Sequence, residues 1–413
     1  MVGRGLFCNT RSAKGKRSMR ILIYSQHVLG IGHFFRSMEI ARALHRHEVL
    51  FVEGGEPLPG YTPPSHVRRL SLPPLMMDAE FSAVHAGKEA GLESDVEMVK
   101  ARRADIFMEA FRRFEPDVLI TELFPFGRKA FRFELMPVLR AIRDGGLSTR
   151  VVCSLRDILV EKRDQEAYEE GVLRVLNEHY HLLLVHSDSR VIALEDTFER
   201  VGQITVPVRY TGFVARMDEG WSIACKENRS DDPEAGPEEN RFLIAASSGG
   251  GKVGADLLLA AIRAIGLMPR TDIRLRVFIG PFMEEADRMM LAGAASGDSR
   301  ISIEPFSLHF TEVLRTASLS VSMAGYNTCM DILAASVNAL VYPFPQNREQ
   351  AMRAKKLEGL GRLRVIQSLS ATDLASLIDA CLAPALLPAH RPAPDLNGAD
   401  HTAQFIENEL CYH

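Results

Sequence analysis

The sequence of 413 residues lacks the features that mark several large classes of protein. Its six cysteines are scattered, and no pair has the spacing of a zinc site or a CxxC motif. Its apolar runs, such as 182–185, are far shorter than the roughly 20 residues of a membrane-spanning helix. The 49 basic residues are balanced by 53 acidic ones, and no secretory segment opens the chain. We therefore expect reduced cysteines, a cytoplasmic location and no nucleic-acid partner.

Short apolar runs alternate with longer amphipathic stretches along most of the chain. Strands are predicted at 20–25, 49–52, 117–121, 150–154 and 181–186, and again at 241–246, 274–279, 300–304, 319–322 and 339–342. Helices are predicted at 34–44, 96–114, 165–178, 253–265, 284–292, 327–335 and 348–357. Strands that alternate with helices are typical of βαβ units and parallel sheets.

A change of composition separates two similar halves of the chain. Residues 217–240 hold eight acidic residues against two basic ones, which is typical of a linker. The predicted parts are a basic arm at 1–18, an N-terminal domain at 19–216, the acidic linker at 217–240, a C-terminal domain at 241–385 and a tail at 386–413 with a short helix at 402–410. The arm either stays solvated or touches anionic lipid. Whether Met1 or Met19 is the natural start stays open.

Each half begins with a strand, a glycine-containing loop and the start of a helix. The first loop contains Gly30 and Gly32, and the second contains Gly249, Gly250 and Gly251. Helix N-termini that follow glycine loops are suited to binding anions, although glycines also serve in tight turns. In doubly wound sheets, ligands bind at the carboxyl ends of the strands, so a cleft between the two domains is the expected site.

The literal GxGxxG pattern of residues 249–254 is weak evidence for a dinucleotide site. No acid ends the following strand, and the first loop has Phe35 in place of its third glycine. Glu53 does end the second strand, so a dehydrogenase is not excluded. A P-loop kinase fits less well, because Val253 follows Lys252 where serine or threonine is required. We favour glycine loops that receive a nucleotide diphosphate.

The most specific pattern lies in residues 306–350, which contain SMAGYNTCMD at 322–331, VYPF at 341–344 and REQ at 348–350. This stretch resembles the C-terminal donor domain of family 28 glycosyltransferases, which include the peptidoglycan N-acetylglucosaminyltransferase. Over residues 19–385 the chain resembles a group of predicted bacterial glycosyltransferases, through segments 26–33, 122–128 and 154–159. The resemblance implies a GT-B fold, in which two Rossmann-like, doubly wound α/β domains face a cleft.

The resemblance implies that residues of the C-terminal half hold the nucleotide, its diphosphate and the sugar. The implied donor-binding residues are Arg216, Gly249, Gly250, Gly251, Phe306, Gly325, Asn327, Thr328, Asp331, Glu349 and Gln350. Asp331 stands where the family has a glutamate on the ribose, Phe306 would pack on uracil, and Arg216 would lie near the phosphates. The family has paired glutamines on the sugar where this chain has Glu349 and Gln350.

Structural roles are the alternatives for several of these residues. Phe306 can be an ordinary core residue, Asp331 can interact with a helix dipole, and Arg216 can be a solvated linker charge. Arg156 and Asp157 end a strand and are assigned to the acceptor side with Gly30 and Gly32. The alternative for Arg156 and Asp157 is a mutual ion pair.

His33 is the sharpest chemical candidate, because it lies at the start of the first predicted helix. A helix N-terminus lowers the pKa of a histidine, which keeps the imidazole neutral and able to accept a proton. Glu122, at the end of another strand, either orients His33 or acts as the base itself. Packing or capping at the helix start is the alternative role for His33.

The expected function is glycosyl transfer from a nucleotide-diphosphate sugar, UDP-linked, to a hydroxyl acceptor with inversion. No Asp-x-Asp motif is present, and neither metal nor cofactor is expected. A nucleotide-sugar hydrolase of the pseudaminate-pathway type, in which the same histidine activates water, is the alternative. A non-catalytic nucleotide-sugar-binding protein is a third hypothesis. A glycan or lipid-linked acceptor is expected, which leaves peripheral contact with the inner face of a membrane open.

Overall fold

The computed structural model describes residues 18–26, 32–55, 61–77, 84–86, 96–216, 242–250, 253–358, 360, 363–383 and 393–410. Within these ranges the chain forms two α/β domains, each built on a parallel sheet. The predicted basic arm, as far as residue 17, and the predicted linker at 217–240 lie outside the described residues.

The N-terminal domain is built on a seven-stranded parallel sheet. Its strands are β1 (Arg20–Gln26), β2 (Glu48–Gly54), β3 (Val67–Leu72), β6 (Val118–Glu122), β7 (Arg150–Arg156), β8 (Leu182–His186) and β9 (Val208–Tyr210), in the spatial order β3-β2-β1-β6-β7-β8-β9. Its helices are α1 (Gly32–Ala43), α2 (Val96–Phe114), α3 (Arg132–Asp144) and α4 (Gln165–His179). A short antiparallel pair consists of β4 (Leu75–Met77) and β5 (Val84–Ala86). Alternate residues of β1, such as Ile23 and Tyr24, enter two separate cores, so the sheet is covered on both faces.

The C-terminal domain repeats this arrangement with six parallel strands. They are β10 (Phe242–Ser247), β11 (Ile273–Phe278), β12 (Ile301–Glu304), β13 (Leu319–Met323), β14 (Asn338–Tyr342) and β15 (Leu363–Val365), in the spatial order β12-β11-β10-β13-β14-β15. The helices are α5 (Ala255–Leu267), α6 (Glu285–Ala295), α7 (Phe310–Thr316), α8 (Tyr326–Ala335), α9 (Arg348–Leu357) and α10 (Ala371–Leu382). The predicted α/β class with two doubly wound domains is therefore confirmed.

Both sheets contain a topological switch point, where the strand order reverses. In the N-terminal domain it lies between β1 and β6, and in the C-terminal domain it lies between β10 and β13. Loops that leave the two strands of a switch point turn to opposite sides of the sheet and open a crevice at its carboxyl edge. Gly32, which begins α1 after β1, and Gly249, which follows β10, are at these positions, so the topology places both at ligand-binding crevices.

The predicted C-terminal tail packs on the N-terminal domain. Its helix, α11 (Gly398–Glu409), begins four residues before the predicted start at 402 and lies against α1. Ile406 of α11 is fully buried in a core that it shares with β1 and α1. Gly398 permits the crossing, because an added Cβ would lie 2.5 Å from the carbonyl oxygen of Gly212. The chain therefore returns to its first domain, which links the two domains twice.

Candidate active site

His33 and Glu122 form a hydrogen-bonded pair at the switch point of the N-terminal sheet. His33 is the second residue of α1, and Glu122 is the last residue of β6. Their Nδ1 and Oε1 atoms are 2.6 Å apart. The side chain of Glu122 is 1% exposed and that of His33 is 21% exposed, so only the histidine is open to a ligand.

Two arginines complete the surroundings of Glu122. Arg36, one turn after His33 in α1, donates an Nη–H to Oε1 of Glu122. The Nε atom of Arg128 lies 3.7 Å from Oε2 of the same carboxylate. Sequence reasoning missed both arginines. Arg36 could have been recognised, because residues three apart in a helix lie on the same face and it is three residues after His33. The position of Arg128 depends instead on the path of the loop after β6.

The charge states of the pair follow from burial and from these neighbours. Burial lowers the pKa of His33 from 6.5 to about 3, although Glu122 opposes the change. Burial alone would raise the pKa of Glu122, but His33, Arg36 and Arg128 together hold it below its ordinary value. The pair is therefore a neutral imidazole and an ionised carboxylate. Because a carboxylate only accepts hydrogen bonds, Nδ1–H donates to Glu122 and the lone pair of Nε2 is left to accept a proton.

We expect the His33 imidazole to remain neutral between pH 7 and about pH 5, because its pKa in the folded protein is about 3. The unfolded chain takes up this proton near pH 6.5 and the folded chain does not. The contribution of neutral His33 to the free energy of unfolding is therefore complete above pH 6.5 and is lost as the pH falls toward 3. A histidine NMR titration measures this, with a His33→Ala variant to identify the signals. Titration of His33 near pH 6.5 would contradict the burial argument.

Two glycine turns of the C-terminal domain meet at Thr328. Gly249 follows β10 and has a φ of +70°, which favours glycine, and Gly325 lies directly before α8. A Cβ added at either glycine would lie 3.9 Å from Oγ1 of Thr328. Gly325 has no side chain to cap the first N–H groups of α8, so these groups can bind an anion.

The first turn of α8 contacts the N-terminal domain next to His33. The Nδ2 group of Asn327 donates to the carbonyl oxygen of Gly32 at 3.0 Å. The hydroxyl of Tyr326 donates to the carbonyl oxygen of His186 at 3.0 Å and accepts from the amide of Val214 at 2.9 Å. Through these hydrogen bonds Tyr326 and Asn327 hold α8, the helix predicted to bind the diphosphate, against the part of the N-terminal domain that contains His33.

Three predicted nucleotide-binding side chains lie close together at this interface. Asp331 in α8 is buried and forms an ion pair with Arg216, whose Nε is 3.0 Å from Oδ2. The guanidinium of Arg216 lies 5.4 Å from the ring centre of Phe35 in α1. The ring of Phe306 lies 6.3 Å from the same phenylalanine. Arg216 is therefore not a solvated linker charge, and a ribose that contacts Asp331 would share this carboxylate with Arg216.

The two predicted acceptor-side residues at the end of β7, Arg156 and Asp157, form ion pairs with α9. Asp157 is fully buried, and its two oxygens accept from Arg353 in α9 at 2.6 and 2.7 Å. Arg156 instead pairs with Glu349 in α9. The predicted mutual ion pair is wrong, because successive side chains of a strand point to opposite faces. These contacts join the domains, so Asp157 is not available to an acceptor.

Of the remaining predicted residues, Gly250 and Gln350 are described, and both accept hydrogen bonds within the C-terminal domain. Gly30 and Gly251 fall outside the described residues. The carbonyl oxygen of Gly250 accepts from the amide of Phe282 at 3.2 Å. Oε1 of Gln350 accepts from the amide of Phe344 at 3.0 Å, which shapes the loop before α9.

Comparison with known protein families identifies the C-terminal domain. Residues 250–404 match the glycosyltransferase family 28 C-terminal domain. The chain is a GT-B glycosyltransferase with a family 28 C-terminal domain. This confirms the resemblance and the enzyme class predicted from the sequence. No curated protein matches the chain in a sequence comparison.

Solved structures support the GT-B fold over nearly the whole chain. TcCGT1 in complex with UDP has a TM-score of 0.60 at 12% identity, over 95% of this chain and 99% of that one. The calicheamicin glycosyltransferase CalG4 has a TM-score of 0.54 at 15% identity, over 95% and 94% of the two chains. MurG of Acinetobacter baumannii has a TM-score of 0.52 at 14% identity, over 95% and 99%. At these identities the likeness concerns the fold alone.

No helix among the described residues of this glycosyltransferase is both long and apolar enough to cross a bilayer.

Proposed function

We propose that this GT-B glycosyltransferase transfers a sugar from a UDP-linked donor to a hydroxyl acceptor, with inversion and without a divalent metal. The contact between Asn327 and the carbonyl oxygen of Gly32, at 3.0 Å, carries the proposal. It joins the first turn of α8 to the residue before His33. The proton acceptor, His33, and the anion-binding N-terminus of α8 are thus held next to each other by this hydrogen bond. Transfer from a sugar diphosphate needs a base and a phosphate-binding group in such proximity.

The donor is assigned to the C-terminal domain. The diphosphate lies against the N-terminus of α8, where the Gly249 and Gly325 turns allow a close approach and Thr328 offers a hydroxyl. Asp331 lies on the same helix, and together with its partner Arg216 it holds the ribose and the phosphates. Phe306 packs on the base. A structural neighbour of the same fold binds UDP, which supports uracil as the base.

The acceptor hydroxyl enters from the N-terminal domain. The Nε2 atom of His33 takes the hydroxyl proton while the acceptor oxygen attacks the anomeric carbon. The bond between that carbon and the diphosphate oxygen breaks on the opposite side, which inverts the anomeric centre. Ionised Glu122 stabilises the imidazolium as it forms. The helix N-terminus stabilises the charge that develops on the leaving diphosphate.

Product analysis in the presence of EDTA tests this function. With UDP-sugars and a panel of hydroxyl acceptors, we expect UDP to be released together with a glycosylated product, and EDTA to leave the rate unchanged. Release of free sugar without acceptor would favour the hydrolase that uses the same histidine. Loss of turnover in EDTA that magnesium or manganese restores would contradict the metal-independent mechanism.

A further inference from the structure

The buried charges around Glu122 do not balance. The side chains of Arg36, Glu122 and Arg128 are 2%, 1% and 5% exposed, and His33 beside them is neutral. Two cations therefore face one carboxylate inside the domain. Burial lowers the pKa of Arg128, and Glu122 offsets this only in part. Because a buried charge without a partner is costly, the excess of positive charge indicates a place for an anion.

Arg128 holds most of the unused hydrogen-bonding capacity. Among the described residues, its Nε and one Nη atom have no hydrogen-bond partner, although both atoms are buried. Arg36 and Arg156 each leave a buried Nε in the same condition within the described part of the chain. Since roughly 90% or more of buried polar groups in proteins are paired, several unpaired guanidinium donors in one place mark a missing ligand, ion or water.

The location of Arg128 assigns this anion to the acceptor. Arg128 ends the loop that leaves β6 at Glu122, and it lies in the N-terminal domain with His33. Leu123 and Arg128 both have positive φ angles, 66° and 57°, so this loop holds its conformation against backbone strain. The glycine turns that receive the donor diphosphate are on the other domain. An anion at Arg128 therefore lies on the side of the cleft from which the hydroxyl approaches.

We propose that Arg128 binds an anionic group of the acceptor, a phosphate or a carboxylate, beside the His33–Glu122 pair. The proposal rests on the proposed function, because it takes the acceptor hydroxyl to lie at Nε2 of His33. The anion neutralises the excess charge of the cluster and fixes the distance between the attacking hydroxyl and the base. Arg128 is thus a specificity-determining residue, which selects acceptors with a negative charge near the reacting hydroxyl.

Titration of the full chain with inorganic phosphate, in the presence of saturating UDP, tests the proposal. The variants are Arg128→Met, Arg128→Lys and the control Arg132→Met, which removes an exposed arginine four residues away. We expect phosphate to raise the unfolding midpoint of the parent and of the control. Arg128→Met should lose this response, and Arg128→Lys should bind phosphate about tenfold or more weakly. Without phosphate, Arg128→Met should be at least as stable as the parent, because an uncompensated buried cation has been removed.

Three results would overturn the proposal. The first is a parent that shows no response to phosphate. The second is an equal response in the parent and the Arg128→Lys variant, which decides the matter even where Arg128→Met does not fold. The third is phosphate binding that appears only without UDP, which would assign the anion to the donor diphosphate. These binding results do not depend on turnover, so a failure of the proposed transfer reaction is recognised separately by product analysis.

Discussion

Replacing His33 by alanine is expected to lower kcat by about 10²–10⁴-fold, the usual loss when a general base is removed. The affinity for UDP should stay unchanged, because we assign the nucleotide to the other domain. The physical reason is the arrangement of the ring, in which Nδ1 is engaged by Glu122 at 2.6 Å and Nε2 is left for the substrate. Steady-state kinetics and calorimetric titration with UDP separate the two effects.

The matched control for this variant is His45→Ala, which removes an exposed histidine just after the end of α1. It should leave both kcat and UDP affinity unchanged. If the His33→Ala enzyme keeps most of the parent kcat, His33 has only a packing role and Glu122 becomes the candidate base. A variant that also loses UDP affinity would show that His33 supports domain closure.

Replacing Glu122 by glutamine is expected to damage both stability and turnover. The carboxylate is the only acidic partner, among the described residues, that faces Arg36 and Arg128 in the buried cluster. Breaking a buried ion pair by removing one partner costs about 3–5 kcal/mol of the free energy of unfolding. The amide of glutamine can donate as well as accept, so it no longer fixes the tautomer of His33. The value of kcat should therefore fall nearly as far as in His33→Ala.

Glu134→Gln is the matched control for Glu122→Gln. Glu134 is equally buried and receives two hydrogen bonds from Arg103, at 2.7 and 3.0 Å, but it has no contact with His33. Chemical unfolding should show a comparable loss of stability for both variants, whereas only Glu122→Gln should lower kcat in the folded fraction. If His33 and Glu122 act as a unit, the double variant is hardly slower than either single one. Multiplicative losses would mean that they act independently.

The sequence predicts the fold well where local patterns decide the structure. The apolar runs of β1, β6, β10 and β13 are buried on both faces of their sheets, and such runs are recognised without knowledge of the rest of the chain. The strands that were missed, β3, β4, β5, β9 and β15, are short or carry arginines. They are held in place by pairing with a neighbouring strand, which is a property of the folded sheet.

The candidate site was predictable only in part, for the same reason. His33 begins the helix after β1 and Glu122 ends β6, so the switch-point topology was enough to bring them together. The partners of Arg156 and Asp157 were not predictable, because they lie in α9, almost 200 residues away along the chain. Arg128 likewise reaches Glu122 through a loop whose path no local pattern specifies. Long-range charge pairing depends on how the two domains meet.

Calorimetric titration of the purified chain with UDP tests the central claim most directly, namely that α8 holds the donor opposite His33. We predict that the parent, His33→Ala and the exposed-carboxylate control Asp373→Ala bind UDP equally. Asp331→Ala should bind it more weakly by about 1–3 kcal/mol, roughly 5–150-fold, since it loses hydrogen bonds to a charged group. A parent that does not bind UDP, or an Asp331→Ala variant with unchanged affinity, would contradict the assignment of the donor to α8.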